Sequence, residues 1–387
     1  MASKPKEKSG DSDLRTLIDL TNTTRTLVTH FQSSLTPLTT STTSTDGKTA
    51  ASTAAEQPNT LDAVKAATTL LRSHTTTLSL LLLTPPLTPS ALIKKIGEVS
   101  SGVLTVLVAA ASSTPSAGQV DELGILMRNE LRAQVRRLLG TWNDVLALIL
   151  RFAEEREKAG AKSKGKDKGP SESEKQDVLA TTGVVWETCD ALLKLCADGV
   201  VGLVIKKAEE WREVLMDAVE ELKEWGEDVD DDDDDKAEGS DDEDDFGDDD
   251  MFGAENKLTK ADKELKELLD ASVKKLKLVG TLYKALSKRR LKTFSMGAPS
   301  VEDKSEPASN SIKKLEDLMA ILKSIPEHVD DLANAFYEKD EDEAKDILDK
   351  CSSEAKSAIG LVRQSWTGKE DEFTTWSKKW VTALEAA

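Results

Sequence analysis

Between residues 201 and 225 the apolar side chains fall at Val201, Val204, Ala208, Trp211, Leu215, Ala218, Leu222 and Trp225, in alternating steps of three and four. That spacing marks one face of an α-helix. The remaining face is wet, carrying Lys206, Glu209, Glu210, Arg212, Glu213, Glu220, Glu221 and Glu224. The stretch just before repeats the pattern with Val178, Thr182, Val185, Cys189, Leu192 and Cys196. Stripes of this kind bury themselves against other helices. Trp186, Trp211 and Trp225 are accordingly expected in a core.

The same periodicity organises the rest of the chain. A first helix is expected over 12–35, with Leu14, Leu17, Ile18, Val28 and Leu35 inward, and a second over 61–83, stopped by Pro85 and Pro86. Thr88-Pro89 begins a third, with a threonine cap and proline at the first helical position. Thr114-Pro115 repeats that signature ahead of a long helix expected over 118–158. Both dipeptides also match what proline-directed kinases accept, but each precedes a periodic run, which favours capping. Further on, 258–294 carries Leu265, Leu269, Leu276, Val279, Tyr283 and Leu286. A helix over 312–325 is expected to be interrupted at Pro326 and resumed by Val329, Leu332 and Phe336. Two more stripes follow, ending at Val362 and Leu384. Alternating strand patterns are nearly absent.

Charge divides this helical series. Residues 227–250 hold 17 acidic residues and one lysine, a charge of −16 against −19 for all 387 residues. Like charges repel, and the segment has almost nothing to bury. The expected organisation is a disordered tail (1–11), an N-terminal bundle (12–226, with loops at 36–60 and 159–174), a disordered acidic linker (227–254) and a C-terminal bundle (255–387). The fold class is all-α: two antiparallel helical bundles joined by that linker. Three cysteines, Cys189, Cys196 and Cys351, make no disulfide framework and suggest a reducing compartment. No apolar run approaches the ~20 residues a bilayer needs, and no secretory signal is evident at residues 1–11. No membrane partner is expected.

Candidate chemistry is sparse. Gly160 to Lys166 resembles a phosphate loop, but Asp167 stands where the magnesium-binding hydroxyl belongs and no strand precedes it. The aspartate run lacks the glycine and glutamate frame of a calcium loop. His30, His74 and His328 are far apart in the sequence. No catalytic residue, cofactor or metal site is expected, and no enzymatic activity. Ser240, followed by Asp241, Asp242 and Glu243, offers an acid-directed kinase its preferred context. Lys284, Lys288, Arg289, Arg290 and Lys292 form a basic cluster, either an import signal or the exposed end of an amphipathic helix. Direct nucleic-acid binding is not expected, because the acidic run would repel phosphates.

Thr182 to Asp190, including Trp186, Glu187, Cys189 and Asp190, resembles the signature helix of the cyclin-D-binding (GCIP, cyclin-D-interacting) family. The following helix, with Asp217 to Glu221 at its centre, and the acidic run after it are similar to that family's next segments. Ile325 to Ala333, with Val329, Asp330, Asp331 and Leu332, followed by Tyr337, resembles its second recognisable patch. The chain departs from the family pattern at Leu195 to Asp198, where a proline-containing turn is usual, and at Glu338-Lys339, where prolines are usual. Its low-complexity segments suggest a distant, fungal-type member. The resemblance implies vinculin/talin-like bundles and a protein of cytoplasm and nucleus that restrains cell-cycle progression and transcription through a cyclin or transcription regulator. The partner-facing surface is expected on the wet face of 201–225 and on the acidic run. Two other classes stay open: a vinculin/talin-like cytoskeletal adaptor, and an acidic histone-binding chaperone.

Overall fold

A computed structural model describes residues 6–37, 59–114, 121, 123–160, 169–230, 258–259, 261–294 and 308–387. The fold is all-α, as the periodicity predicts. The chain divides into two compact units, Met1–Val200 and Val201–Ala387.

The first unit holds α1 (Lys6–Ser34), α2 (Thr60–Leu83), α3 (Pro89–Glu98), α4 (Thr105–Ser112), α5 (Gly124–Gly160) and the opening half of α6 (Glu172–Glu227). A wide π-helical turn, Val99–Leu104, joins α3 to α4. Helices α1 and α5 run antiparallel, as three polar contacts along them show. Arg15 Nε donates to Glu157 at 3.3 Å, Arg25 Nε to Asn143 Oδ1 at 3.2 Å, and Gln32 Nε2 to the Arg136 carbonyl at 3.2 Å. Between the helices lie Leu17, Val28, Leu71, Leu78, Ile96, Leu138 and Trp142, all fully buried. Each such side chain contributes roughly 1.5–3 kcal/mol of burial. The stripe of α6 joins this core through Val178, Val185, Cys189, Leu192 and Cys196.

Several boundaries differ from the sequence expectation. Helix α1 begins at Lys6, inside the tail expected to be disordered, because extending an anchored helix costs far less than nucleating one. Pro89 does sit at the start of α3, but the Thr88 hydroxyl donates to the Pro86 carbonyl at 3.2 Å and makes no cap. Helix α5 starts at Gly124 rather than 118, with Gly124 at φ 67. The loop residues 38–58 and 161–168, and the acidic residues 231–257, lie outside the described residues.

The larger correction concerns where one unit ends. Gly199 sits at φ 62, ψ −161, non-helical backbone that essentially only glycine adopts. The second half of α6 therefore packs in the C-terminal unit, not in an N-terminal bundle reaching 226. Just beyond it, Val229–Asp230 (β1) pairs in parallel with Leu258–Thr259 (β2), each strand two residues long. The acidic stretch thus leaves and re-enters the same unit. It is an excursion closed at its base, rather than the tether between bundles that its composition suggested.

The C-terminal unit is completed by α7 (Lys263–Arg289), α8 (Ala308–Tyr337), α9 (Glu341–Val362) and α10 (Glu372–Ala386). Helix α8 runs unbroken through Pro326, against expectation. Proline has no N–H for the carbonyl four residues back, here Leu322. The buried Tyr283 hydroxyl donates to that carbonyl at 2.6 Å and replaces the lost bond.

Where α7 ends, Arg290 is 1% exposed. Its guanidinium grips both oxygens of Asp371, at 2.6 and 2.8 Å, and donates to the carbonyls of Val362 (2.7 Å) and Arg363 (3.0 Å). It also lies 4.3 Å from the ring centroid of Phe373. Asp371 caps α10 in a reciprocal capping box with Thr374. One arginine thereby ties the ends of α7 and α9 to the start of α10.

Candidate functional site

On the first half of α6 the buried arc is Val178, Thr182, Val185, Thr188, Cys189, Leu192 and Cys196. Trp186 falls outside that arc and is 36% exposed, so its expected core placement is corrected. Leu179 is seven residues earlier and therefore on the same helical face; it is 58% exposed. Between them Gly183 presents no side chain, and a Cβ there would meet nothing within 4 Å. The family-signature residues thus separate: Cys189 is core, while Trp186, Glu187 and Asp190 face solvent.

Helix α2 supplies the other side of this surface. Arg72 Nη1 donates to Asp190 Oδ1 at 2.6 Å, and its guanidinium carbon lies 5.8 Å from the Trp186 ring centroid. The ion pair is solvent-exposed, so it adds little stability; it holds the indole and the guanidinium in a fixed relation. Leu80 of α2 is also exposed, at 59%. Large apolar side chains flanked by a tryptophan and an arginine have the composition of a protein-interface centre. Sequence reasoning missed Arg72 and Leu179. The seven-residue Leu179–Trp186 spacing, off the buried stripe, was the readable signal.

The second recognisable patch lies in the C-terminal unit and is mostly packing. Val329 and Leu332 are fully buried, while Asp330 and Asp331 are exposed. Tyr337 is half-buried; its hydroxyl donates to Glu221 at 3.1 Å and its ring meets Trp225 edge-on at 5.4 Å. Partial burial, reinforced by the Glu221 hydrogen bond, pushes the Tyr337 phenol up to about 12. Partial burial, then the neighbouring Asp331, Glu221 and Glu327, raises the Asp330 carboxyl above its usual range. Trp211 and Trp225 are half-buried rather than core. Of the expected wet face of this half of α6, Lys206, Glu209, Glu213, Glu220, Glu221 and Glu224 are exposed, while Glu210 and Arg212 are half-buried.

The basic cluster does not survive intact. Lys284, Lys288, Arg289 and Lys292 are exposed, but Arg290 is the buried tie described above, so the run is broken at its centre. Ser240 lies outside the described residues.

The remaining reactive groups are occupied or sealed. Burial raises the thiols of Cys189, Cys196 and Cys351 to about 12, 11 and 12, which removes their nucleophilic form at neutral pH. His328 Nδ1 lies 3.0 Å from Glu354, which also accepts from the Ser324 hydroxyl, and His74 lies 3.7 Å from Glu98. Among the described residues no group of three or more His, Cys, Asp or Glu side chains could hold a metal ion, and no helix is long and apolar enough to cross a membrane.

Residues 63–228 match the family model described as Grap2 and cyclin-D-interacting, N-terminal, so the family resemblance read from the sequence is shown over that segment. The match includes Arg72, Leu179, Trp186 and Asp190 and closes where α6 gives way to β1. The chain is also similar to an uncharacterized protein of Schizosaccharomyces pombe, 25% identical over 326 residues, 84% of each chain.

Proposed function

We propose that this chain is a non-enzymatic protein-interaction regulator that docks a helical partner of the cyclin type on the α2–α6 surface around Trp186. The observation that supports this reading is the solvent-facing Leu179, Gly183 and Trp186 on one helical face, with Arg72 bridged to Asp190 beside them, inside the segment that matches the cyclin-D-interacting family. Leaving apolar surface of this size in water is unfavourable, and covering it is a binding energy available to a partner. Gly183 lets a partner backbone come close. In this reading the chain withholds its partner from cell-cycle or transcriptional complexes, in both cytoplasm and nucleus, and the wet face of α6 and the acidic excursion set long-range attraction.

Co-precipitation with a D-type cyclin tests it. Trp186→Ala and Leu179→Ser are expected to weaken capture at least ~30-fold, the ~2 kcal/mol typical of an interface centre. Because both side chains are exposed, the fold should stay intact by circular dichroism. Unchanged capture by both variants would place the contact elsewhere, and no capture by the parent chain would remove the cyclin from the proposal.

A further inference from the structure

At the C-terminal end of α1, a groove of about 380 Å³ opens against the middle of α5. Its walls include Leu35 and Pro37 on one side and Arg132, Arg136 and Arg137 on the other. The residue between the two α1-side walls is Thr36, exposed, outside any helix and followed directly by proline. Arg132 already reaches this point, donating from Nη1 to the Thr36 carbonyl at 3.1 Å.

The charge balance of the groove is one-sided. Arg128, one turn away, is neutralised by Asp121 at 2.6 Å. Arg132 spends its donors on the carbonyls of Ala111, Ser112 and Thr36 and meets no carboxylate among the described residues. Arg136 and Arg137 are exposed and have no acidic partner among the described residues. Burial and the neighbouring Arg128 lower the pKa of Arg132, the direction expected of a cation short of compensating negative charge. Three arginines therefore line a groove that borders the exposed Thr36, and no acidic residue lines it.

We propose that Thr36 is a phosphorylation site whose phosphate is received by Arg136 and Arg137 of the adjoining groove. A proline-directed kinase transfers the γ-phosphoryl group of a nucleoside triphosphate: Thr36 Oγ1 forms the new O–P bond, the bond between the β-phosphate and the γ-phosphorus breaks, and the nucleoside diphosphate leaves. The hydroxyl proton passes to the kinase's base. The product carries roughly −1.5 to −2 charges and three acceptor oxygens at pH 7. Guanidinium forks match phosphate oxygens in pairs, so the modification fastens the end of α1 to α5. Of the Thr-Pro dipeptides, at 36–37, 84–85, 88–89 and 114–115, the first alone includes or adjoins in sequence a residue that lines this groove.

The test uses the full chain, a proline-directed kinase and ATP. Peptide mapping should find phosphate on Thr36 and lose it in Thr36→Ala. Phosphorus NMR should then show the phosphothreonine titrating about one pH unit lower in the native protein than in the same protein unfolded in urea. In the double variant Arg136→Gln/Arg137→Gln, whose exposed sites leave the fold unperturbed, the phosphate should still be added but titrate as in the unfolded chain. Phosphorylation confined to the other Thr-Pro sites would overturn the proposal. So would a Thr36 phosphate whose titration is the same folded and unfolded, or is indifferent to the two arginines.

Discussion

Replacing Arg290 with methionine probes the junction of α7, α9 and α10 directly. The substitution keeps apolar volume but removes the guanidinium that donates to Asp371, Val362 and Arg363, leaving Asp371 and the Arg363 carbonyl only their bonds from Thr374. Removing one partner of a buried charged pair costs ~3–5 kcal/mol. Asp371 is 39% exposed and can regain water, which places the expected loss near the lower end, ~3 kcal/mol. For a unit of this size each kcal/mol is worth ~2–4 °C, so the transition of the C-terminal unit should fall by ~6–12 °C. Calorimetry of the full chain reads the shift, and hydrogen exchange should locate the earliest opening in α10. Arg290→Lys should recover only part of the loss, since an ammonium cannot form the two-pronged contact. The acid limb gives a second readout. Asp371, hydrogen-bonded by Arg290, has a pKa of about 2 against an ordinary 3.8. Its contribution is therefore complete above the ordinary value and is lost as pH falls through that value towards about 2. That acid-dependent loss should flatten in Arg290→Met. A destabilisation below ~1 kcal/mol, within the range of an exposed pair, would refute the assignment of Arg290 as the tie.

Two further outcomes follow from the tyrosines. Tyr283→Phe leaves the Leu322 carbonyl, already deprived of a donor by Pro326, buried and unpaired, and should cost ~1–3 kcal/mol in urea unfolding; a loss indistinguishable from zero would mean that α8 satisfies this carbonyl another way. The chain has only two tyrosines, and both are raised, Tyr337 to about 12 and Tyr283 further by deep burial. Since a raised phenol favours the protonated folded form, stability should hold through pH 10 and decline only as pH climbs towards 12. Ultraviolet titration should show no tyrosinate step near pH 10 in native protein and a full one in urea; a native step near 10 would detach Tyr337 from Glu221.

The helices were legible because burial in a bundle imposes a repeat of three and four, and each half of α6 displays it. What the reading missed was Gly199. The stripe steps by five from Cys196 to Val201, out of the alternation of three and four, and that slip brackets the glycine whose backbone turns positive, so the unit boundary moved by a whole helix arm. Arg290 was hidden for a related reason. It sits among Lys288, Arg289 and Lys292, and local composition reads all four as surface, whereas its burial is decided by Val362 and Asp371, more than seventy residues away. Pro326 was read by its local rule, which holds, but the compensating donor comes from another helix. Trp186 was the reverse case: it was assigned to the core by heptad position together with Trp211 and Trp225, yet it lies one residue past Val185 of the buried stripe and so falls outside it.

The two-residue bridge between Val229–Asp230 and Leu258–Thr259 is parallel, and this sense has a genetic consequence. Antiparallel neighbours can be joined by a two-residue turn, but parallel ones need a crossover of about a dozen residues or more. The anionic insert therefore has a floor on its length that is independent of its charge. Substitutions that exchange one acid for another, or for serine, leave the bridge able to form, whereas a deletion that cuts the insert below that floor must unzip it. Across related genes, the insert should drift freely in composition while resisting collapse to a short hairpin.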